Sequence, residues 1–333
     1  MKALLSRVPG GPGSLEYADL PDPTPGPGEL LIDVRACAIN YPDVLLIADK
    51  YQTKLPRPFI PGGEIAGVVA KLGTGVSGWS IGDRVIAIMG QGGLAERISI
   101  DAASAVRLPA ERGFAEGSAL ILTYATAIHA LVDRGKLSRG DNLLVLGAAG
   151  GVGLAAVELG KAFGARVVGA VSSQEKAEVV RAAGADEVIV YPRDSSDAES
   201  GRALAQQFKD AVGVAGADVV LDPVGGSYAE AALRAIAWQG RYLVVGFPAG
   251  IPKIALNLVL LKSANVCGIF WGAFAERDPE RNAANLETLL DLWRSGSISP
   301  KVSQSWPLEQ GADAIAHMAS RQAIGKLVVT IDG

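Results

Sequence analysis

Cysteine and histidine are nearly missing: the 333-residue chain has two of each. Cys37 and Cys267 are far apart and sit in apolar stretches, so no disulfide framework forms and a reduced, cytoplasmic setting is expected. A tetrahedral zinc site draws on Cys and His ligands. The four here are scattered over two strand-like stretches and two helix-like ones, with His129 and His317 on the latter, and no metal centre is expected. Basic residues are not in excess either. Lys and Arg number 31 against 35 Asp and Glu, a net charge of −4, and no dense basic run occurs. That balance disfavours nucleic acid or an anionic membrane as the main partner. Long apolar runs are also lacking. The longest uncharged stretch is broken by glycines, which rules out a membrane span there. Ala3, Leu4 and Leu5, followed by Arg7, are too short a run for a signal-peptide core.

Hydrophobic residues make up 49% of the chain, enough to fill large cores, and the length suits about two domains. The organising stretch is Asn142 to Val157. Leu143 to Leu146 is an apolar run of strand length. Gly147-Ala148-Ala149-Gly150-Gly151-Val152-Gly153 then reads as a tight turn entering a helix, which continues through Leu159 and Phe163 to Gly164. Gly147 can take a conformation closed to other residues. Gly150 and Gly151 leave room for a phosphate, and Gly153 lets the helix lie close to the strand. The helix N-terminus then forms an anion seat. A second strand, Arg166 to Val171, follows about one βαβ unit later, which makes the turn a dinucleotide-binding one rather than a bare strand-to-helix corner.

Enzymes that prefer NADH place Asp or Glu at the end of that second strand, for the adenosine ribose. Here the place holds Ser172 and Ser173, with Lys176 close behind and no carboxylate before Glu175. Two hydroxyls and a lysine suit a 2′-phosphate, so NADPH is favoured over NADH. The plainer reading makes Ser172 a helix cap and Lys176 a solvated side chain.

Taken in order, the chain opens with short β-rich runs between glycine and proline turns. These are Lys2–Leu5, Leu15–Ala18, Glu29–Ala36, Pro61–Ala70, Gly82–Ile88 and Gly92–Ile98, and they suggest a curled, barrel-like sheet. Asn40-Tyr41-Pro42-Asp43 opens a helix, with Pro42 in its first turn. Residues 118–131 read as one helix closed off by Gly135 and Gly140. Strands are then expected at 142–147, 166–171, 187–191, 218–222, 241–246 and 265–270, alternating with helices. Six such strands imply a doubly wound parallel sheet. A helix over 282–294 and strands over 298–306 and 326–331 return to the first, β-rich domain. The expected division is 1–122 with 276–333 against 123–275.

Together these stretches resemble the zinc-independent quinone oxidoreductases, the zeta-crystallin-like group of the medium-chain dehydrogenase/reductase superfamily. The likeness spans essentially the whole chain. It rests on Asn40-Tyr-Pro-Asp43, Tyr51, Pro61-Gly-Gly-Glu64 with Gly67, Gly82-Asp-Arg-Val85, Thr123 to His129, Gly147–Gly153, Asp222-Pro-Val-Gly-Gly226 and Gly325-Lys-Leu-Val328. The resemblance implies an α/β protein with a GroES-like catalytic domain, a Rossmann domain and the cleft between them. It also implies NADPH-dependent two-electron reduction by a homodimer or homotetramer. Residues matching Ser172, Ser173, Lys176 and Tyr191 then lie near the 2′-phosphate and adenosine. Those matching Thr123, Gly246, Phe247, Phe270, Trp271 and Gly272 lie near the nicotinamide. The family's zinc-dependent relatives carry Cys, a His-Glu pair and a further Cys as ligands. Here Asn40, Gly63 before Glu64, and Thr123 or their neighbours stand at those places, and the four-Cys structural lobe is missing.

Hydride transfer needs the acceptor held against the nicotinamide in a dry slot. A quinone takes up hydride and proton on its own conjugated system, so no strong acid or base is compulsory. Asn40, Tyr41, Asp43 and Tyr51 are the candidate polar anchors. Asn40 is a candidate donor to a developing enolate oxygen, Tyr51 a candidate proton donor, and Trp271 a candidate lining of the slot. Each has a plainer role: Asn40 and Asp43 as a helix cap, Tyr51 and Trp271 as packing, and Glu64 as a structural carboxylate. The function expected is that of an NADPH-dependent quinone reductase, with a reductase of enones or enoyl thioesters and a nucleotide-binding protein without turnover as the alternatives. An enoyl-CoA substrate would call on basic residues, for which Lys50, Lys54 and Arg57 are a sparse set.

Overall fold

Short apolar runs build the first strands where the sequence places them. In the computed structural model, which describes residues 1–191 and 198–332, the first unit comprises 1–122 and 300–333. β1 (Lys2–Ser6) and β2 (Leu15–Asp19) pair antiparallel, with Lys2 opposite Asp19. β3 (Glu29–Ile39) ends at Asn40, and the short helix α1 (Tyr41–Ile47) follows with Pro42 in its first turn. β4 (Glu64–Leu72), β5 (Arg84–Ile88), β6 (Arg97–Asp101) and β7 (Ala105–Arg107) continue the sheet. β3 is its spine: β4 runs along one edge, and β6 takes the first half of the other.

Between the units the helical segment is less regular than the sequence suggests. Instead of one helix over 118–131 there are α2 (Phe114–Ser118) and α3 (Ile121–Ile128), followed by a π-helical turn over His129–Arg134. The turn closes with the Gly135 N–H donating five residues back, to the Ala130 carbonyl, at 2.7 Å.

The second unit, 123–299, is the alternating part. Its strands are β8 (Asn142–Leu146), β9 (Arg166–Val171), β10 (Glu187–Val190), β11 (Ala217–Asp222), β12 (Ile236–Val244) and β13 (Asn265–Gly268). The crossover helices are α4 (Gly151–Ala162), α5 (Gln174–Ala182), α6 (Ala198–Val212), α7 (Tyr228–Arg234) and α8 (Leu256–Lys262). All neighbours are parallel, in the order β10-β9-β8-β11-β12-β13. The order reverses between β8 and β11, at the end that carries the glycine turn. Leu143 to Leu146 are all buried, as a central parallel strand requires. β12 begins five residues before the expected 241: Ile236 already pairs with Ala217, and the register then shifts across a stretch in which Gln239 takes a positive φ of 57°.

α9 (Trp271–Arg277) and α10 (Pro279–Arg294) also belong to this unit, so residues 276–299 group here and not with the first unit. Side chains explain why. Trp293 is fully buried and Leu289 nearly so, and Asp133 accepts from Arg281 at 2.8 Å and from Asn285 at 2.7 Å. The chain then re-enters the first sheet through β14 (Val302–Pro307), α11 (Gly311–Ala319) and β15 (Lys326–Thr330). β15 lies parallel to β14 and antiparallel to the last part of β3, Ala36–Ile39.

Gly67 shows how tightly β3 and β4 approach. It faces an irregularity between Val34 and Ala36, and a Cβ there would lie 2.3 Å from the Asp33 carbonyl oxygen. Gly67→Ala is therefore expected to destabilise the protein by about 1–3 kcal/mol or more. Urea unfolding of the two proteins measures it.

Candidate active site

β8 delivers its last residues into a turn that only glycine can close. Gly147 has φ 56°, and a Cβ on it would lie 2.6 Å from Val224 Cγ2. Ala148 and Ala149 are buried beneath the turn. A Cβ on Gly153 would meet the Gly147 carbonyl oxygen at 2.3 Å, so this glycine sets how near α4 lies to β8. Gly150 differs. Its own surroundings would admit a Cβ at an ordinary 3.4 Å, so the chain's packing does not demand glycine there. Space left at that point suits the approach of a phosphate. Neither a side-chain cap nor an acidic residue occupies the first turn of α4. The turn of Gly151, Val152 and Gly153 thus offers backbone N–H groups and a positive helix end, a donor set that fits a pyrophosphate.

Two buried arrangements hold the turn. Tyr191, 5% exposed, shares a hydrogen bond with the Gly147 backbone and tilts against Tyr228 at 4.8 Å, and burial pushes its phenol pKa up. Tyr191 therefore supports the turn, where the resemblance placed it near adenosine. Asp222 accepts from the Val224 and Gly225 N–H groups, both at 2.8 Å, and from the Tyr242 hydroxyl at 2.7 Å. Burial raises the pKa of Asp222, opposed by those three donors.

At the end of β9, Ser172 and Ser173 are half-buried. Ser173, not Ser172, caps α5, accepting from the Lys176 N–H at 3.3 Å. The two hydroxyls and Lys176 thus fall within one turn of chain. Thr123 is buried, and Gly246 follows β12 with its N–H near the Asp222 carbonyl at 3.4 Å. Phe247 and Phe270 are exposed, 43% and 59%, and Gly272 is exposed as well. Trp271 differs from expectation. It is 7% exposed, and its indole N–H donates to Asn282 at 2.9 Å, so α10 holds it inward and the aromatic faces on offer are those of Phe247 and Phe270.

The first unit holds a buried polar cluster. Asp43 accepts from the Asn40 N–H at 2.8 Å and the Gly62 N–H at 3.1 Å, fixing α1 to the loop before β4. The Asn40 side-chain amide donates to Glu64 at 3.2 Å and to the Ala38 carbonyl at 3.4 Å. Both of its N–H groups are thus used within the chain, which leaves neither for an enolate oxygen. Glu64 also accepts from the Leu122 N–H at 2.9 Å. Lys326, 3% exposed, donates to the Asn40 side-chain oxygen and to Glu64, the latter at 3.0 Å. The sequence names Lys326 only within the stretch Gly325–Val328 and assigns it no role. Its signal was a lysine opening the otherwise apolar strand Leu327–Val329. Tyr41 and Tyr51 lie nearby in sequence, both half-buried, and burial raises the pKa of the Tyr51 hydroxyl, keeping it protonated at neutral pH.

The donors for zinc do not assemble. Among the described residues no three of His, Cys, Asp and Glu are grouped to hold a metal ion. Cys37 is fully buried with its thiol pKa pushed well up, and Cys267 lies on β13. His129 stacks on Phe274 at 3.9 Å in the second unit, and His317 packs against Trp306 in the first.

Comparison with known proteins gives one consistent answer. Residues 26–110 match the alcohol dehydrogenase GroES-like domain, and residues 151–288 match the family described as zinc-binding dehydrogenase. A quinone oxidoreductase-like protein 2 homolog of Nematostella vectensis is 34% identical over 308 residues, 91% of this chain and 82% of that protein. The mycobacterial protein Rv1454c, solved in complex with NADPH, is 30% identical with a TM-score of 0.90, covering 99% of this chain and 100% of that one. The Escherichia coli quinone oxidoreductase complexed with NADPH is 27% identical with a TM-score of 0.89, again covering 99% and 100%.

Asp43 generates a pH dependence. Burial raises its pKa from 3.8 to about 6, so the folded chain binds this proton more tightly than the unfolded one. Stability from this group is therefore greatest at low pH and falls as pH rises from about 4 to about 6, by roughly 3 kcal/mol in all. Urea unfolding across that range measures it, and Asp43→Asn is expected to remove this part of the slope.

Proposed function

The chain belongs to the quinone oxidoreductase family of the medium-chain dehydrogenase/reductase superfamily, and from that membership we propose that it reduces a quinone with NADPH and without a metal. The observation that carries this reading is the uncapped first turn of α4 above Gly147, followed after β9 by two serines and a lysine in place of a carboxylate. The N–H groups of Gly151, Val152 and Gly153 take the pyrophosphate, and Ser172, Ser173 and Lys176 take the 2′-phosphate. Thr123, Gly246, Phe247, Phe270 and Gly272 lie along the nicotinamide end, with Tyr191 behind the glycine turn. NADPH, when bound, supplies the hydride. The chain binds, orients and excludes water. Tyr41 and Tyr51 offer the acceptor an amphipathic face, with the Tyr51 hydroxyl, held protonated, as the proton donor. Asn40 and Asp43 act by holding the turn that carries them.

Metal independence rests on the donor chemistry: the cysteines and histidines are dispersed, and one buried thiol is strongly disfavoured from ionising. An enoyl-CoA acceptor is less well served. Lys54 and Arg57 are tied to the C-terminal end of α1, where Lys54 reaches the Asp49 carbonyl and Arg57 pairs with the Asp49 carboxylate at 2.8 Å and the Ile47 carbonyl at 2.8 Å. These cations satisfy a helix end and are not held out for phosphates.

The active form is read as a homodimer. β13 ends the six-stranded sheet with an open edge, Val266 is 42% exposed, and Trp238, Leu256, Leu260 and Leu261 are exposed between 64% and 76%. Open edges with apolar neighbours are the surfaces a second copy covers. A reducing, cytoplasmic setting fits two free cysteines, and no helix among the described residues is long and apolar enough to cross a membrane.

Steady-state turnover with 1,4-benzoquinone, phenanthrenequinone and crotonyl-CoA, each with NADPH and with NADH, tests the function. The expected result is fastest oxidation of NADPH by the quinones. Lys176→Ala is expected to weaken NADPH by roughly tenfold and to leave NADH unchanged, read by fluorescence titration. Sedimentation of the wild type should give a dimer, and Val266→Asp should shift it toward monomer.

A further inference from the structure

Two strand ends of the first unit meet one ammonium group, and a wider hydrogen-bond network extends from them. Lys326 stands at the start of β15 and is 3% exposed. Its Nζ donates to Asn40 at the end of β3 and to Glu64 at the start of β4. Glu64 Oε2 also takes the Asn40 amide at 3.2 Å, which closes a three-membered ring of side chains. Its other oxygen takes the Leu122 N–H at the first turn of α3. Through the Asn40 backbone, Asp43 extends the same network to Gly62. The titratable groups facing the ammonium are Glu64, Asp43 and the Cys37 thiol, with Tyr51 beyond Asp43. Lys326 is the cation of this network, set against two buried carboxylates.

We propose that Lys326 is a positioning residue for hydride transfer, an internal cation that fixes through Asn40 and Glu64 the two turns carrying Tyr41 and Thr123. Stability alone does not call for such a group, since a buried ion pair replaced by apolar side chains of similar volume often leaves a protein as stable or more so. Directional contacts add what apolar contact lacks. An ammonium with three donors, two spent on oxygens from different strands, sets where each strand end stops. Tyr41 follows Asn40 directly, and Thr123 follows Leu122 directly, so a shift in either hydrogen bond displaces a residue read above as a contact of acceptor or nicotinamide. Misplacement of about 1 Å is enough to cost hydride transfer on the order of 100-fold. The glycine turn that binds the nucleotide is built by other residues, so affinity for NADPH should not follow.

The inference rests on the quinone-reductase reading, and its test keeps the two apart. Wild type, Lys326→Arg, Lys326→Met and the double variant Lys326→Met/Glu64→Gln are compared in kcat and KM with NADPH and 1,4-benzoquinone. The double variant removes both charges of the Lys326–Glu64 pair, leaves Asp43 on its two backbone donors, and stays testable if Lys326→Met alone fails to fold. The expected result is a kcat lowered roughly 10-fold to 100-fold in the double variant. KM for NADPH should stay unchanged, turnover should be largely retained by Lys326→Arg, and hydrogen exchange should be faster at the Leu122 amide. A double variant with wild-type kcat, or Lys326→Arg as slow as the double variant, overturns the proposal. Should the wild type reduce enones but no quinone, the quinone reading alone falls, and the same four proteins assayed with the enone decide the place of Lys326.

Discussion

The contact between Gly153 and the carbonyl oxygen of Gly147 governs the second unit. With only 2.3 Å available to a Cβ, no side chain fits, and α4 settles directly on the end of β8. Its uncapped amino end then faces the point where the strand order reverses between β8 and β11. Everything else nearby braces that contact. Tyr191 engages the Gly147 backbone, Val224 packs over it, and Asp222 holds the Val224–Gly225 turn in place. The result is a helix end whose donors are main-chain N–H groups, a set suited to an anion without any charged side chain and therefore compatible with the net negative charge of the protein.

The first unit solves a different problem. Its strand ends bring Asn40, Asp43, Glu64 and Lys326 together in a place from which water is excluded, and each buried polar atom must find a partner. The solution is reciprocal: Lys326 answers Asn40 and Glu64, Glu64 answers Asn40 and Leu122, and Asp43 takes two backbone N–H groups. Desolvation still dominates at Asp43, whose pKa rises in spite of two donors and a nearby ammonium. Asn40 and Asp43, attractive as reactive groups when read from the sequence, are consumed in holding the backbone.

Several expectations needed revision, and each for a local reason. Trp271 follows Phe270 in a stretch that reads as slot lining, yet Asn282 one helix later draws its indole N–H inward. One continuous helix over 118–131 becomes two pieces and a π turn. Residues 276–299 stay with the second unit because Arg281 and Asn285 find their partner in Asp133. These partners lie between 11 and 152 residues away along the chain, beyond the reach of periodicity or turn chemistry.

Read without coordinates, the chain declares its βαβ alternation, the glycine turn, the lack of a carboxylate after the second strand and the scarcity of zinc ligands. Each of these is a local pattern: strand period, glycine spacing and residue type act within about ten residues. Tertiary structure alone decided which polar side chains stay available. Asn40, Asp43, Trp271 and Tyr191 each lose their freedom to a partner brought near by folding, and Lys326 gains a central place at the meeting of three strand ends. A buried polar group must be satisfied by whatever the fold sets beside it, and that neighbour is fixed by sheet order and register, not by distance along the sequence.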